Sequence, residues 1–404
     1  MVIIKKLKNK IVKKVGKTIS LLKKKPAIKK ETKKKVIVKK IKIIKKEVLK
    51  KEPKNKKNNL PKINHKEIIN HIKLEKSSSN PIISPSLYGW ESKATFNPAA
   101  FEHNGKIHIL YRAVGEDDVS VLGYASSFDG LNIEDRPTFF AYKRFFKYKE
   151  EGPKAEYLSG GGWCGGCEDP RLSLIGDTVY MIYTAFDGWG SVRLALTSIK
   201  LDDFKKKKWN WEKSVLISPP GQINKNWVLF PEKINGKFAI LHSFYPEILV
   251  DYFDDIRELD GKHFIKSNNT RPVDLSRTWD SWFRGVGPTP IKTEDGWLIL
   301  YHAMDHKNPD RYRLGAIILD LNDPTKILYR SKNPILEPEE DYENNGHKWG
   351  VVYSCGAVVK DGDLFVYYGG ADKFVCVASV PLKELIDDLK KDKNIKLTKK
   401  KIIK

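Results

Sequence analysis

NGKIHILYRA, residues 104–113, opens on a glycine turn, runs through apolar residues and ends in a tyrosine beside a polar group. The same plan returns as IGDTVYMIYTA at 175–185, INGKFAILHS at 234–243, EDGWLILYHA at 294–303 and KDGDLFVYYGG at 360–370. The turn glycines Gly105, Gly176, Gly236, Gly296 and Gly362 fall roughly 60 to 70 residues apart, a longer period than common propeller repeats and one that leaves room for long loops. After four of the five copies a second apolar segment follows: VLGYASS, VRLALTSI, YRLGAIILDL and VCVASV. Five repeats of paired β-segments predict an all-β fold, a five-bladed β-propeller in which each blade is a four-stranded sheet. A β-sandwich is the alternative, but its strands need not echo one another at a fixed period. In a propeller the loops of all blades converge on the axis. Arg112, Thr184, His242, His302 and the stretch Gly369–Asp372 follow the inner strands, so this register predicts one central funnel for them.

The flanks differ from this body. The net charge is +24, and residues 1–76, with 29 Lys, five Glu and no Arg, account for all of it; the rest of the chain is balanced. Like charges this dense repel, and the apolar residues among them keep no helical or strand period. The expected organisation is a mostly disordered lysine-rich arm over 1–76, a propeller over 77–390 and a basic tail over 391–404. VPLKELIDDLKK at 380–391 predicts a short C-terminal helix. The arm is a plain solvated tail or a segment that rests on an acidic surface, anionic lipid before RNA, since it lacks aromatics through Lys57. Lysine interrupts each apolar run near the N-terminus, so neither a secretory leader nor a membrane span is expected. With four cysteines in the chain, a disulfide scaffold is not expected either, and a cytoplasmic location follows.

The densest chemistry is GGWCGGCEDPRL, 161–172. Glu168 and Asp169 are adjacent, so a strand points them to opposite faces and one of them toward the funnel. Pro170 favours a fixed loop, and Arg171 is near enough to bias a carboxylate. The functional reading is a catalytic acid in a rigid loop; the plain alternative is a surface acidic pair beside a turn proline. Cys164 and Cys167 are spaced like a redox or zinc pair, but no helix pattern follows and no second pair exists, so free thiols are expected. His302 and His306 follow a strand and lack the glutamate of a zinc protease helix. No metal site is expected. Trp279, Trp282 and Trp297 suit sugar stacking or core packing, with Trp297 assigned to the core.

Together these motifs resemble glycoside hydrolase family 130, the β-mannoside phosphorylases and related β-mannosidases. The matching stretches are FNPAA with LYRA, CEDPRL, VRLAL, LFPEKINGKFAILH, GVGPTPIKTEDGWLILYHA, YRLGAIILDLNDPTKILYRSKNPILEPEEDYE and SCGAVVKDGDLFVYYGGAD, spread over about residues 85–390. The resemblance implies a five-bladed propeller and inverting phosphorolysis of β-1,4- or β-1,2-linked mannosides to α-mannose 1-phosphate. It implies Asp169 as catalytic acid, and Arg193, Lys233 and His242, with Arg171 close by, as the phosphate site. It implies Asn97, Arg112 and Asp372 as sugar-binding residues, to which the repeat register adds His302. Inorganic phosphate is then a co-substrate, no cofactor is needed, and oligomerisation stays open. Ser243 and Thr289 depart from the family pattern, and Ser243 stands where many phosphorylases carry arginine. This leaves two alternatives: a β-mannosidase that activates water through Glu168, Asp280 or Asp305, and a non-catalytic glycan-binding propeller.

Overall fold

The structure is a computed structural model that describes residues 71–144, 165–186, 192–266 and 278–391. The lysine-rich segment up to residue 70 and the tail from 392 lie outside the described residues. Strands dominate. Helices are few and short: α1 (Leu201–Lys205), α2 (Asp341–Asn344) and α3 (Leu382–Lys391).

The strands form five antiparallel groups. The first is β2 (Ala94–His103), β3 (Lys106–Val114) and β4 (Val119–Ser127). The second is β5 (Gly165–Ile175), β6 (Thr178–Phe186), β7 (Arg193–Lys200) and β8 (Val215–Leu216). The third is β9 (Val228–Leu229), β10 (Phe238–Ser243) and β11 (Leu249–Phe253). The fourth joins β12 (Trp282–Val286) and β13 (Ile291–Thr293) to β14 (Gly296–Asp305), β15 (Asn308–Leu319) and β16 (Ile327–Arg330). The fifth is β17 (Val352–Lys360), β18 (Asp363–Gly370) and β19 (Phe374–Pro381), completed by β1 (Glu75–Lys76) from the other end of the chain. A short parallel contact at Val119–Gly165 and Ser120–Gly166 fuses the first two groups into one seven-stranded sheet. Each repeated motif read from the sequence lies in one group, and all five turn glycines have positive φ.

The apolar residues explain how the groups pack. Consecutive groups share a core: Leu110 and Leu122 with Met181 and Tyr183, Leu194 and Leu196 with Trp227 and Ile240, Leu241 with Ile299 and Ile317, and Leu300 and Ile318 with Val366. The fifth group in turn shares one with the first, where Val358, Tyr367 and Val377 meet Ile107, Ile109 and Ala125. Contact there is close enough that a Cβ on Gly356 of β17 would lie 2.4 Å from the Ala100 nitrogen of β2.

One expected boundary needs correction. Glu75 and Lys76 belong to the folded unit, because β1 pairs with Ser379 and Ala378 of β19. Lys76 also ends in a buried contact: its Nζ lies 2.7 Å from Oε2 of Glu343, a fully buried carboxylate. Glu343 further accepts from the Tyr368 hydroxyl at 2.8 Å and from the backbone N–H groups of Glu339 and Glu340. Removing one partner of a buried pair leaves an uncompensated charge, so Lys76→Ala should lower unfolding free energy by about 3 kcal/mol in urea titration. A loss under about 1 kcal/mol would mean that the neighbouring hydrogen bonds alone stabilise Glu343.

Candidate active site

The site is built from irregularities at one end of the strand groups. β2 shifts register between Phe96 and Ala99, and Asn97 at the bulge takes a left-handed backbone with φ 48°. β5 repeats the device between Glu168 and Arg171, giving Asp169 φ 50°. Asp372, at the turn after β18, has φ 52°, and Asn226, just before β9, has φ 66°. Asn and Asp are the non-glycine residues that tolerate this conformation best, because their short polar chains bond locally. Bulges re-aim a side chain, and these aim an amide and a carboxylate at each other: Asn97 Nδ2 donates to Asp169 Oδ1 at 2.8 Å. Gly369 must lack a side chain here, since a Cβ would come within 2.2 Å of Asn97 Oδ1.

Arg112 of β3 reaches across from the first group to the second. Its Nη1 is 3.3 Å from Asp169 Oδ1 and its Nη2 3.3 Å from Glu168 Oε1, while Nε donates to Ser120 Oγ at 2.9 Å. Lys225 Nζ completes the cluster 3.2 Å from Glu168 Oε2. The bulge lets both adjacent acids meet the Arg112 guanidinium, yet only one of them lines the cavity. Glu168 is buried against cations, and Asp169 faces an open cavity of about 330 Å³, within the size range of ligand sites. Burial pushes the Asp169 carboxyl up, but Arg112, Lys225, Arg171 and the Asn97 hydrogen bond outweigh it and hold the pKa below the usual carboxylate value. Asp372, in the same cavity, goes the other way: burial raises it, the Asp169 charge adds to that, and Lys348 and Arg112 offset it only in part. Two carboxylates of opposite tendency therefore share one cavity.

Of the residues singled out in the sequence, Asn97, Arg112, Asp169 and Asp372 line this cavity together. The others stand elsewhere. Arg171 is buried beneath the floor: it donates to the Asp169 carbonyl at 2.7 Å, the Gly287 carbonyl at 3.1 Å and Asn226 Oδ1 at 3.0 Å. His302 is fully buried. Its ring stacks on Tyr353 with centroids 4.0 Å apart, and its Nε2 accepts from the Ser354 N–H at 2.9 Å. Burial, then the Arg171 charge, pushes its pKa down to about 3, so it is a neutral support for Tyr353 rather than a sugar ligand at the cavity surface. Arg193 donates to the Ser218 carbonyl and lies over the Phe264 ring at 4.9 Å. His242 packs edge-on against Trp227 and contacts Asp251 Oδ1 at 3.3 Å. Lys233 sits beside the Asn235–Gly236 turn with Nζ 4.4 Å from the Phe238 ring centroid, and its charge acts on Asp255. Among the described residues, none of these three lines the cavity that Asp169 faces.

The cations that do line it, besides Arg112, are Lys225, Arg284 and Lys348. Arg284 is held by the Tyr312 hydroxyl at 2.8 Å and lies over Trp282 at 4.6 Å, so Trp282 backs a cation and does not itself line the cavity. Trp297 is core, as expected, and Trp279 stacks on Tyr301. Cys167, Cys355 and Cys376 are buried thiols; Cys164 lies outside the described residues. Sequence reading missed the cations because it followed the ends of inner strands, whereas Lys225 and Arg284 precede or open them.

A cavity with a pair of opposed carboxylates, amide donors and a ring of cations suits a polyhydroxylated substrate together with an anion, on an all-β scaffold of the kind that glycoside-cleaving enzymes use. The comparisons agree with that class. The chain belongs to glycoside hydrolase family 130, whose family model, described as beta-1,4-mannooligosaccharide phosphorylase, matches residues 59–391. It is similar to the 1,2-beta-oligomannan phosphorylase of Thermoanaerobacter sp. (strain X514), 40% identical over 326 residues that cover 78% of this chain and 99% of that one. It is also similar to the beta-1,2-mannobiose phosphorylase of the same organism, 37% identical with 76% and 97% covered. The solved structure of the Listeria innocua beta-1,2-mannobiose phosphorylase with beta-1,2-mannobiose superposes with a TM-score of 0.61 at 28% identity, over 80% of this chain and all of that one.

The geometry makes Arg112 the keystone of the cavity floor. Arg112→Met would leave Glu168 and Asp169 close together with one fewer cation, so about 3–5 kcal/mol of stability should be lost in denaturant titration. Arg112→Lys should recover part of it. A loss under about 1 kcal/mol in the methionine variant would refute this reading of the cluster.

Proposed function

We propose that this protein is an inverting phosphorylase of β-1,2-linked mannosides, working in a cavity at the axis of a five-bladed β-propeller. The carrying observation is Asp169, a carboxylate oriented by Asn97 and Arg112 in a cavity otherwise ringed by Lys225, Arg284 and Lys348. The propeller reading rests on five strand groups whose shared cores run from each group to the next and from the fifth back to the first. The linkage reading rests on the two Thermoanaerobacter relatives and the Listeria complex, all β-1,2 enzymes by name.

Asp169 acts as the acid. The bond from the mannosyl C1 to the leaving oxygen breaks, and that oxygen takes the Asp169 proton, directly or through a sugar hydroxyl. A phosphate oxygen bonds C1 from the opposite face, which turns a β-mannoside into α-mannose 1-phosphate. Phosphate arrives already anionic and needs cations to gather it rather than a base to activate it. Lys225 and Arg284 take that task in place of Lys233, with Lys348 at the cavity edge. Resting Asp169 is held ionised, and phosphate supplies the compensation: its charge occupies the same cations and raises Asp169's affinity for a proton. Hydrolysis would need a carboxylate to activate water. Among the described residues, neither Glu168, Asp280 nor Asp305 lines the cavity; Glu168 is engaged by Arg112 and Lys225, and Asp280 by Arg330 and the Tyr301 hydroxyl. The proposed reaction takes inorganic phosphate as its co-substrate and calls on no metal or organic cofactor.

The test is product analysis with the full chain on β-1,2- and β-1,4-mannobiose, with and without phosphate. Mannose 1-phosphate should form from the β-1,2 disaccharide only when phosphate is present. Free mannose regardless of phosphate would make the protein a hydrolase. Asp169→Asn should lower turnover by roughly 10²–10⁴-fold, the usual share of general acid catalysis.

A pH profile probes the cations. Removing a positive charge stabilises the neutral form of Asp169 and so raises its pKa. Since the acid must be protonated to work, Lys225→Met should move the alkaline limb of kcat/KM to higher pH while raising KM for phosphate. A limb that moves to lower pH, or not at all, would separate Lys225 from the acid.

A further inference from the structure

This inference rests on the phosphorylase reading and concerns the length of the chain it acts on. The loop at 345–350, between α2 and β17, carries Trp349, whose indole is 54% exposed although the neighbouring Lys348 and Val351 line the cavity. The backbone that presents it is fixed. The Lys348 N–H donates to the Ala371 carbonyl at 3.0 Å, and the Tyr312 N–H donates to the Gly350 carbonyl at 2.9 Å. Gly350, with φ 72°, sits so close to β15 that a Cβ would lie 2.4 Å from the Asp310 oxygen. A Cβ on Gly346 would lie 2.3 Å from the Ala371 oxygen. Arg311 comes to 5.9 Å from the indole centroid; it is held through Pro338 and immediately precedes the cavity-lining Tyr312. A large apolar ring half exposed on a fixed backbone, beside a cavity and with a guanidinium 5.9 Å from its centroid, offers a contact surface.

The cavity itself says what would use that surface. At about 330 Å³ and open to solvent, it stands at the small end of ligand sites, so units of a longer saccharide beyond the cleaved pair would meet the residues around its mouth. A pyranose offers an apolar C–H face for an indole and equatorial hydroxyls for a guanidinium. We propose that Trp349, with Arg311 beside it, is a stacking platform for a mannosyl unit beyond the cleaved pair, so that the enzyme favours β-mannoside chains of three or more units.

The test compares the full chain with Trp349→Ala and Trp349→Phe on β-1,2-linked mannobiose, mannotriose and mannotetraose, under phosphorolysis at saturating phosphate. Trp349→Ala should lose about three- to tenfold in kcat/KM on the trimer and tetramer, mainly through KM, and stay within about twofold on the dimer. Trp349→Phe should keep most of the longer-chain preference. Equal losses on all three substrates, or none on the longer two, would overturn the proposal while leaving the phosphorylase reading intact. If the unsubstituted chain turned over none of them, the phosphorylase reading would fall, and calorimetric binding of mannotetraose to both chains would still decide whether the indole holds a sugar. Loss of oligomeric state in Trp349→Ala by sedimentation, without any dependence on substrate length, would identify the indole as a subunit contact and also overturn it.

Discussion

Arg112 sits in the interior, 1% exposed, between two acids that are neighbours in sequence. Taking a guanidinium out of water costs several kcal/mol, and only close opposite charge and hydrogen bonds offset it. Here the offset comes from Glu168, Asp169 and the Ser120 hydroxyl, with the Phe96 ring 4.7 Å below. Lys225 balances the second carboxylate, so two cations meet two anions in one buried cluster. The cluster spans the first two strand groups, at the point where Ser120 pairs with Gly166. Stability of that junction and ionisation of Asp169 are therefore one problem. A change that frees Asp169 from Arg112 also weakens the sheet that carries it.

Beneath this cluster a second network fixes position rather than charge. Arg171 ties the Asp169 carbonyl to Asn226, Gly287 and Tyr353, and so joins the second, third, fourth and fifth groups at the cavity floor. Tyr353 donates to Asn226 Oδ1 at 2.5 Å and is stacked on neutral His302. A carboxylate held at the backbone, at the side chain and by the field around it has little freedom left. Such preorganisation places a proton donor without reorganisation at the moment of reaction.

Much of this was legible in the sequence, and the failures have physical causes. Glycine turns before apolar runs marked all five strand groups, because a hairpin of this kind needs a residue at positive φ. The CEDPRL motif marked the acidic pair and repeat register marked Arg112 and Asp372, while the resemblance chose Asp169 and alone supplied Asn97; these four line one cavity. Lys233, assigned to the anion by the resemblance alone, stands at the turn end of its hairpin, beside Gly236, and is not among the residues that line the cavity. His302 has the right register but points its ring at Tyr353, a choice between two faces of one strand that register does not make. Lys76 looked like part of the basic arm, since nothing in a run of lysines marks the one that will meet a buried glutamate.

The missed cations follow from the same geometry that made the acids easy to find. A left-handed backbone favours Asn, Asp and Gly. Around the cavity it occurs at the bulges that carry Asn97, Asp169 and, in β12, Gly285 with φ 123°, at Asn226 before β9, and in the turn after β18 at Asp372 with Ala371 beside it. Long cationic side chains are poorly suited to such positions. They must reach in from flanking ones, as Arg112 does from β3, Lys225 and Arg284 from the residues just before Asn226 and Gly285, and Lys348 from the loop after α2. The repeat therefore carries amides and carboxylates at fixed register, while its cations have no common address. A strand-end pattern in this scaffold reveals the acid long before it reveals what gathers the anion.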